Sequence, residues 1–295
     1  MKFRTEIKLP SYPFDIRYDH QLLFLGSCFS ENVSTFFAEH QFQVTANPFG
    51  ILFNPLSIAQ ALDFAAQNKV LDEHYFHFFN EKWLSFAHHG CFSHPDPEIF
   101  ATHISQSLEK AKNALQSADF LFITFGTSYY YWHKEKELVV ANCHKLPSDT
   151  FEKRRASVQE TVSAFAPFFQ WKKRHRPGLK VILTVSPVRH LGDGFHENQL
   201  SKSLLHLATE ELCQQHDNVY YFPSYEIYQD DLRDYRFYAD DLCHPSAQGV
   251  DYVIEKVKEA FLTADTLRQV DEADKALRRS RHVPLLQWET ANGKT

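Results

Sequence analysis

Leu22-Leu23-Phe24-Leu25-Gly26-Ser27-Cys28-Phe29-Ser30-Glu31-Asn32-Val33 decides how this chain is read. The apolar run has the makeup of a buried strand, and Gly26 admits a tight turn and close backbone approach that a bulkier residue blocks. Ser30, Glu31 and Asn32 suit the opening of a helix. The pattern is therefore strand, sharp turn, helix, with Ser27 and Cys28 at the break. A nucleophile there stands at the positive end of a helix, where a thiol pKa is lowered and backbone N–H groups can receive an oxyanion. Gly-Ser-Cys alone is equally the turn of an ordinary βα unit carrying a structural cysteine.

What shifts that balance lies near the other end. Asp241-Leu242-Cys243-His244-Pro245 supplies an acid and a base at a spacing of three, at which a carboxylate can reach an imidazole and hold its tautomer. Asp240 is a second candidate orienter, though the spacing favours Asp241. Pro245-Ser246-Ala247-Gln248-Gly249 reads as the start of a closing helix, which puts His244 on the loop before it. The plainer alternative is a solvated loop with incidental charges.

Working outward, strands are expected near 21–26, 42–46, 119–125, 179–186 and 218–222. Helices are expected near 30–40, 56–67, 99–117, 150–173, 197–216 and 246–262. Strands alternating with helices of this length imply an α/β fold: a parallel sheet with helices on both faces, a flavodoxin-like three-layer α/β/α sandwich. Right-handed crossovers bring the end of the first strand and the last loop to one face. The domain spans 1–262, with an aromatic insertion over 68–98 carrying Tyr75, Phe76, Phe78, Phe79, Trp83 and Phe86. Tyr129-Tyr130-Tyr131-Trp132 followed by Leu138-Val139-Val140 reads as a hairpin. Both aromatic segments suit local core packing better than a lid or sugar-stacking surface. Residues 263–295 form a tail whose charged stretch from Asp265 to Arg281 is helical.

The chain resembles the GSCFA family, grouped with the SGNH (GDSL-like) hydrolases. The resemblance rests on Gly26-Ser27-Cys28-Phe29-Ser30, Asn47-Pro48-Phe49-Gly50 and Phe125-Gly126-Thr127. It continues through Val140-Ala141-Asn142-Cys143-His144-Lys145, Ser186-Pro187-Val188-Arg189-His190 and the Asp241/His244 block, in order over about residues 20–262. It implies an SGNH-like fold and an acyl-enzyme chemistry more firmly than a substrate. Laid without a gap over the superfamily's Gly-Asp-Ser-Leu-Ser motif, the chain puts Cys28 at the nucleophile and Ser27 over the aspartate. Ser27 takes the role if the turn is displaced by one residue. A cysteine acyl-enzyme is a thioester, which can pass its acyl group to an alcohol, amine or thiol as well as to water.

By the same resemblance, the amides of Cys28 and Gly50 point at the developing oxyanion, with a side chain after the central strand completing the set. The superfamily usually offers Asn in a Gly-x-Asn-Asp motif. This chain reads Gly126-Thr127-Ser128-Tyr129 instead, so Thr127, Ser128 or Asn142 serves, or the third donor is missing; Asn142 is equally an ordinary turn residue. Arg189 and His190 follow Val181-Ile182-Leu183-Thr184-Val185, a run with the composition of a buried parallel strand. Charges just past the carboxyl end of such a strand lie where open α/β sheets bind ligands, so a substrate carboxylate, phosphate or sugar is expected at Arg189. A salt bridge to the loop Leu191-Gly192-Asp193-Gly194 is the structural alternative.

With 295 residues, 43% apolar and 23% charged, the chain can bury one large core. Net charge of -6 leaves no basic footprint, and nucleic acid is not an expected partner. Lys172-Lys173-Arg174-His175-Arg176 reads as the basic end of a helix before Pro177-Gly178. No export signal or membrane-spanning run stands out, and the five cysteines are an odd count without close pairing, so a cytoplasmic, reduced, membrane-free protein is expected. His74 and His77, or His88, His89 and His94, lack the spacing and acidic partner of a zinc hydrolase, so neither metal nor cofactor is expected. The reading that follows is an esterase for a small O-acyl, acetyl-type ester, on a small molecule or carbohydrate, using Cys28 (or Ser27), His244 and Asp241. The alternatives are an acyltransferase using an acyl-CoA or similar donor, and a non-catalytic ligand-binding module on the same fold.

Overall fold

The computed structural model describes residues 4–69 and 71–281. The first half runs β1 (Gln21–Gly26), α1 (Cys28–Glu39), β2 (Gln43–Ala46), α2 (Pro55–Gln67), β3 (Phe76–Phe79), β4 (Lys82–Ser85), α3 (Pro97–Ser117) and β5 (Phe120–Phe125). The second runs β6 (Tyr129–His133), β7 (Leu138–Val140), β8 (Phe151–Arg155), α4 (Val158–His175), β9 (Lys180–Val185), α5 (Phe195–Gln215), β10 (Val219–Tyr221), a short α6 (Ser224–Glu226), α7 (Ala247–Phe261) and α8 (Ala264–Arg281).

The main sheet has five parallel strands in the order β10-β9-β5-β1-β2. Counting only these strands along the chain, that is 2-1-3-4-5, the flavodoxin-like doubly wound order whose switch point lies between β1 and β5. The apolar runs follow from this position, because a strand covered on both faces needs apolar side chains at every residue. Leu22 and Phe24 of β1 enter one core with Phe120 and Phe122 of β5, against α1 and α7. Leu23 and Leu25 enter the other with Leu121, Ile123 and Phe125, against α2, α3, α4 and α5. The result is three layers around two cores, as the sequence pattern implies.

Local signals fix the helix starts. Asn54 accepts the Ser57 N–H at 2.8 Å ahead of Pro55, Asp96 accepts those of Glu98 and Ile99 ahead of Pro97, and Ser157 with Glu160 forms a capping box. That box corrects the helix expected over 150–173. Its first residues form β8, paired antiparallel with β6 from His133↔Phe151 to Tyr129↔Arg155, and the helix begins only at Val158. The sheet β7-β6-β8 joins the hairpin of β3 and β4 through a third core of Leu84, Phe86, Leu138, Val140 and Phe151. The aromatic insertion packs on two cores: Phe86 lies in this small one, while Tyr75, Phe76 and Trp83 lie against the core of Leu23 and Leu25, beside Phe64 of α2 and Phe100 of α3. Phe78 of the insertion and Tyr131 of the hairpin are exposed.

α8 returns to the domain. Val270 is fully buried in the core that holds Phe37 and Phe42, and Asp274 reaches the His40 Nε2 at 3.0 Å. Residues 282–295 of the expected tail lie outside the described residues. No helix among the described residues is long and apolar enough to cross a membrane.

Candidate active site

The turn after β1 is held by four backbone groups. The Gly26 N–H donates to Asn47 Oδ1 at 3.0 Å, the Gly26 carbonyl accepts from Leu52, the Ser27 N–H donates to the Thr124 carbonyl at 3.2 Å, and Asn47 itself donates to Phe24. Gly26 sits at φ +138, and a Cβ there would stand 2.3 Å from the Thr124 carbonyl oxygen on the neighbouring strand. Only glycine fits both demands.

The turn separates the two nucleophile candidates. Ser27 is the N-cap of α1, buried, with its Oγ shut from solvent and without a hydrogen-bond partner. Cys28 is the first helical residue and is half-buried. Its amide belongs to the first turn, whose N–H groups have no intrahelical acceptor. The expected lowering of the thiol pKa does not follow. Burial pushes the Cys28 thiol above its ordinary value and Glu31 adds to this, against smaller opposing pulls from the amides of Phe29 and Cys28 and from the Lys202 charge.

Asp241 and His244 form a tight local unit. Asp241 Oδ1 accepts the backbone N–H groups of Cys243 at 3.0 Å and His244 at 2.9 Å, while Oδ2 meets His244 Nδ1 at 2.6 Å. With Nδ1 so engaged, Nε2 is the nitrogen left for proton transfer. The bonds from His244, then those from Cys243, hold the Asp241 carboxyl down to about 2. Between them Leu242 adopts φ +55, an uncommon conformation for a residue of its kind. The Cys243 Sγ donates to the Arg189 carbonyl at 2.8 Å, fastening this loop to the one that leaves β9.

α5 supplies what joins these parts. Lys202 is fully buried, and its Nζ donates to the Gly126 carbonyl at 2.6 Å and the Ser186 carbonyl at 2.7 Å, the residues just past β5 and β9. Burial pushes the Lys202 ammonium down to about 7, while Cys243 and Cys28 act in the other direction. Lys202 thus has both Cys28 in the turn after β1 and Cys243 in the His244 loop as electrostatic neighbours. Asn198 accepts the His190 N–H at 3.0 Å, and burial, then the Lys202 charge, pushes the His190 imidazole down to about 4.

Three of the expected oxyanion donors, Gly50, Thr127 and Ser128, are employed elsewhere. The Gly50 N–H closes its own turn on the Asn47 carbonyl at 2.7 Å, because the chain reverses over Asn47-Pro48-Phe49-Gly50. Thr127 Oγ1 and Ser128 Oγ each lie 3.1 Å from Ser201 Oγ on α5, and the Thr127 N–H donates to the Phe53 carbonyl. Asn142 Oδ1 accepts the His144 N–H at 2.7 Å, as a turn residue does. Arg189 does not bridge to the loop after it: its guanidinium donates to Gln229 Oε1 at 2.9 Å, and Asp193 is taken by Lys153. All five cysteines are unpaired, and among the described residues no group of three or more His, Cys, Asp or Glu is placed to hold a metal ion. His88 instead bridges Ser85 and Ser107, the latter bonded to the Pro48 carbonyl. Asn198, Ser201, Lys202 and Gln229 are the site's supports that motif reading missed.

The model of the GSCFA family matches residues 21–257. The chain belongs to the GSCFA family. The match takes in the Ser27-Cys28 turn, every strand of the main sheet and the His244 loop of this GSCFA protein. Its fold is similar to that of a Streptococcus pneumonia protein described as a platelet activating factor, at 13% identity and a TM-score of 0.42 over 81% of this chain and 83% of that one. It is also similar to an acetyl xylan esterase, Est2A, from the rumen bacterium Butyrivibrio proteoclasticus, at 12% identity and a TM-score of 0.37 over 82% and 65% of the two chains. No curated protein matches it.

Proposed function

We propose that this GSCFA protein is an SGNH-like esterase that cleaves a small O-acyl ester through a Cys28 acyl-enzyme. The observation that carries the reading is the Asp241–His244 pair at 2.6 Å, with its loop fastened through Cys243 to the end of β9. His244 Nε2 takes the thiol proton as Sγ attacks the ester carbonyl carbon, and the oxyanion forms beside the Cys28 amide. The tetrahedral centre collapses to a thioester as His244 gives its proton to the departing alcohol oxygen. Water, deprotonated by the same imidazole, then releases the carboxylic acid and restores the thiol. An acetyl-type acyl group, on a small molecule or a carbohydrate, follows from the superfamily resemblance alone.

The buried Ser27 Oγ supports Cys28 over Ser27. Half-burial of Cys28 favours a second reading of the same thioester, in which an acceptor rather than water takes the acyl group from a donor such as an acyl-CoA. The engaged oxyanion donors favour a third, a binding module without turnover. Hydrolysis of p-nitrophenyl acetate by Cys28→Ala, His244→Ala and Ser27→Ala separates them. The first two variants lose turnover and the third keeps it. Full activity in Cys28→Ala or His244→Ala refutes the assignment, and an inert parent that does not become acylated by the ester leaves the module.

A further inference from the structure

Arg189 lies in the loop past the carboxyl end of β9, half-buried, one loop away from the His244 imidazole through the Cys243–Arg189 bond. Its side chain has a neutral partner, Gln229 Oε1, and Gln229 is itself aimed by a bond from its Nε2 to the Pro187 carbonyl at 3.2 Å. Among the described residues no carboxylate pairs with it. The neighbouring acids are committed: Asp193 to Lys153, Asp230 to Arg233, Glu226 to Tyr221 and His206, and Asp241 to His244. Its charge instead falls on the phenols of Tyr225 and Tyr238 and on Cys243, and Lys202 has both it and Cys28 as electrostatic neighbours. The guanidinium has five N–H donors and spends one on Gln229, so donors remain for a ligand's anion. Lys202 is sealed away from any ligand, so Arg189, a permanent cation with a planar fork of donors, is the group able to meet one.

We infer that the substrate of this site carries an anionic group, a carboxylate or an ester of sulfate or phosphate, close to the acyl bond, and that Arg189 receives it. The inference rests on the Cys28 reading for its geometry and concerns specificity rather than turnover. Glu31 acts on Cys28 against an anion and Lys202 is sealed from ligands, so Arg189 is the side-chain cation that can favour one beyond the general pull of the α1 N-terminus. The geometry assigns the fork of Arg189 to the anion while Gln229 keeps it from swinging out.

The test uses two alkylating reagents of nearly one size, iodoacetate and iodoacetamide. Each forms a sulfur–carbon bond and releases iodide, and the ratio of their rates cancels the thiolate fraction of Cys28. By mass spectrometry of Cys28 at pH 8, the anionic reagent reacts faster, by about tenfold, the scale of one charge-assisted hydrogen bond. Exposed Cys91 shows no such preference. Arg189→Gln removes the preference at Cys28 and Arg189→Lys retains part of it. In the unaltered protein, whether or not the variants fold, inorganic sulfate slows the iodoacetate reaction and leaves the iodoacetamide reaction unchanged. A Cys28 that reacts no faster with iodoacetate, that keeps its preference in Arg189→Gln, or whose reaction with iodoacetate is indifferent to sulfate overturns the inference. Alkylation needs no turnover, so loss of the esterase reading and loss of the anion preference are separate outcomes.

Discussion

Replacing Gly26 by alanine places a methyl group where the fold has no room. The new Cβ would lie 2.3 Å from the Thr124 carbonyl oxygen, 2.8 Å from its nitrogen and 2.9 Å from its carbonyl carbon, all backbone of the adjacent strand. Backbone at the sheet centre cannot turn aside as a flexible side chain can. Relieving the clash separates β1 from β5 at their last paired residues, Gly26↔Thr124, which is overpacking of about 1–3 kcal/mol. Holding φ near +138 with a side chain present adds strain of about 1–3 kcal/mol. Together the loss is about 4 kcal/mol, or about 10 °C in Tm for a large domain. The same Thr124 oxygen accepts the Ser27 N–H, so the displacement also moves Cys28 and should change its alkylation rate. Gly192→Ala, with nothing within 4 Å of its Cβ, is the control. Calorimetric melting of both variants beside the parent decides the matter, and a Gly26→Ala protein melting within 2 °C of the parent, as the control should, would show that the turn is not built as described.

Asp241→Asn keeps an oxygen for the two backbone amides but offers an N–H where His244 Nδ1 now meets a carboxylate, favouring the tautomer whose Nε2 cannot accept a proton; ester hydrolysis should fall by about 10³-fold or more with the circular dichroism spectrum unchanged. A loss below tenfold would remove Asp241 from the mechanism. Lys202 gives a pH prediction. Its folded value of about 7 lies below the unfolded value of about 10.4, so between them the unfolded chain holds more protons and stability rises with pH. From pH 7 to 8.5 this contributes about 1–2 kcal/mol, which Lys202→Met should lack. The difference between parent and variant in urea unfolding at the two pH values cancels groups common to both; equal slopes would mean that the ammonium is not depressed.

The main sheet was legible because the signals that build it are local. A run such as Leu22-Leu23-Phe24-Leu25 cannot be an amphipathic surface strand, and the alternation of its side chains between two cores is what burial on both faces requires. The missed element, β8, has charged residues at Glu152, Lys153, Arg154 and Arg155 that suit a helix equally well. What makes it a strand is distant: Phe151 packs in the small core with Phe86 and Leu138, and β6 offers a free edge. The Asp241–His244 pair was legible for the same local reason, since both partners lie on one turn. The engagement of Ser128 was not, because its partner Ser201 lies 73 residues on and meets it only where α5 packs beside the loop after β5. That of Gly50 is local, an Asn-Pro-x-Gly turn closed on the Asn47 carbonyl, and motif reading passed over the turn signal.

One signal for those supports does stand in the sequence. The buried stripe of α5 runs Leu212, Thr209, Ala208, Leu205, Lys202, Ser201, Asn198, at the three- and four-residue steps of one helical face. Followed from its carboxyl end, the stripe is largely apolar as far as Leu205 and then becomes entirely polar without leaving the interior. A helix packed on a sheet has no reason to bury a lysine, a serine and an asparagine in consecutive turns unless something beside it needs hydrogen-bond partners. The strands themselves need none, since their backbones are paired. The loops past their carboxyl ends do, because irregular backbone at a buried rim leaves carbonyls and amides to be satisfied by side chains. Lys202 binds the Gly126 and Ser186 carbonyls, Ser201 the Ser128 amide, and Asn198 the His190 amide, each in a loop that follows β5 or β9. The change from apolar to polar along one buried stripe thus marks the level at which the helix passes from the sheet to the rim where ligands bind. In this chain it points at the same end of the sheet as Cys28 does, from a helix that carries no recognisable motif.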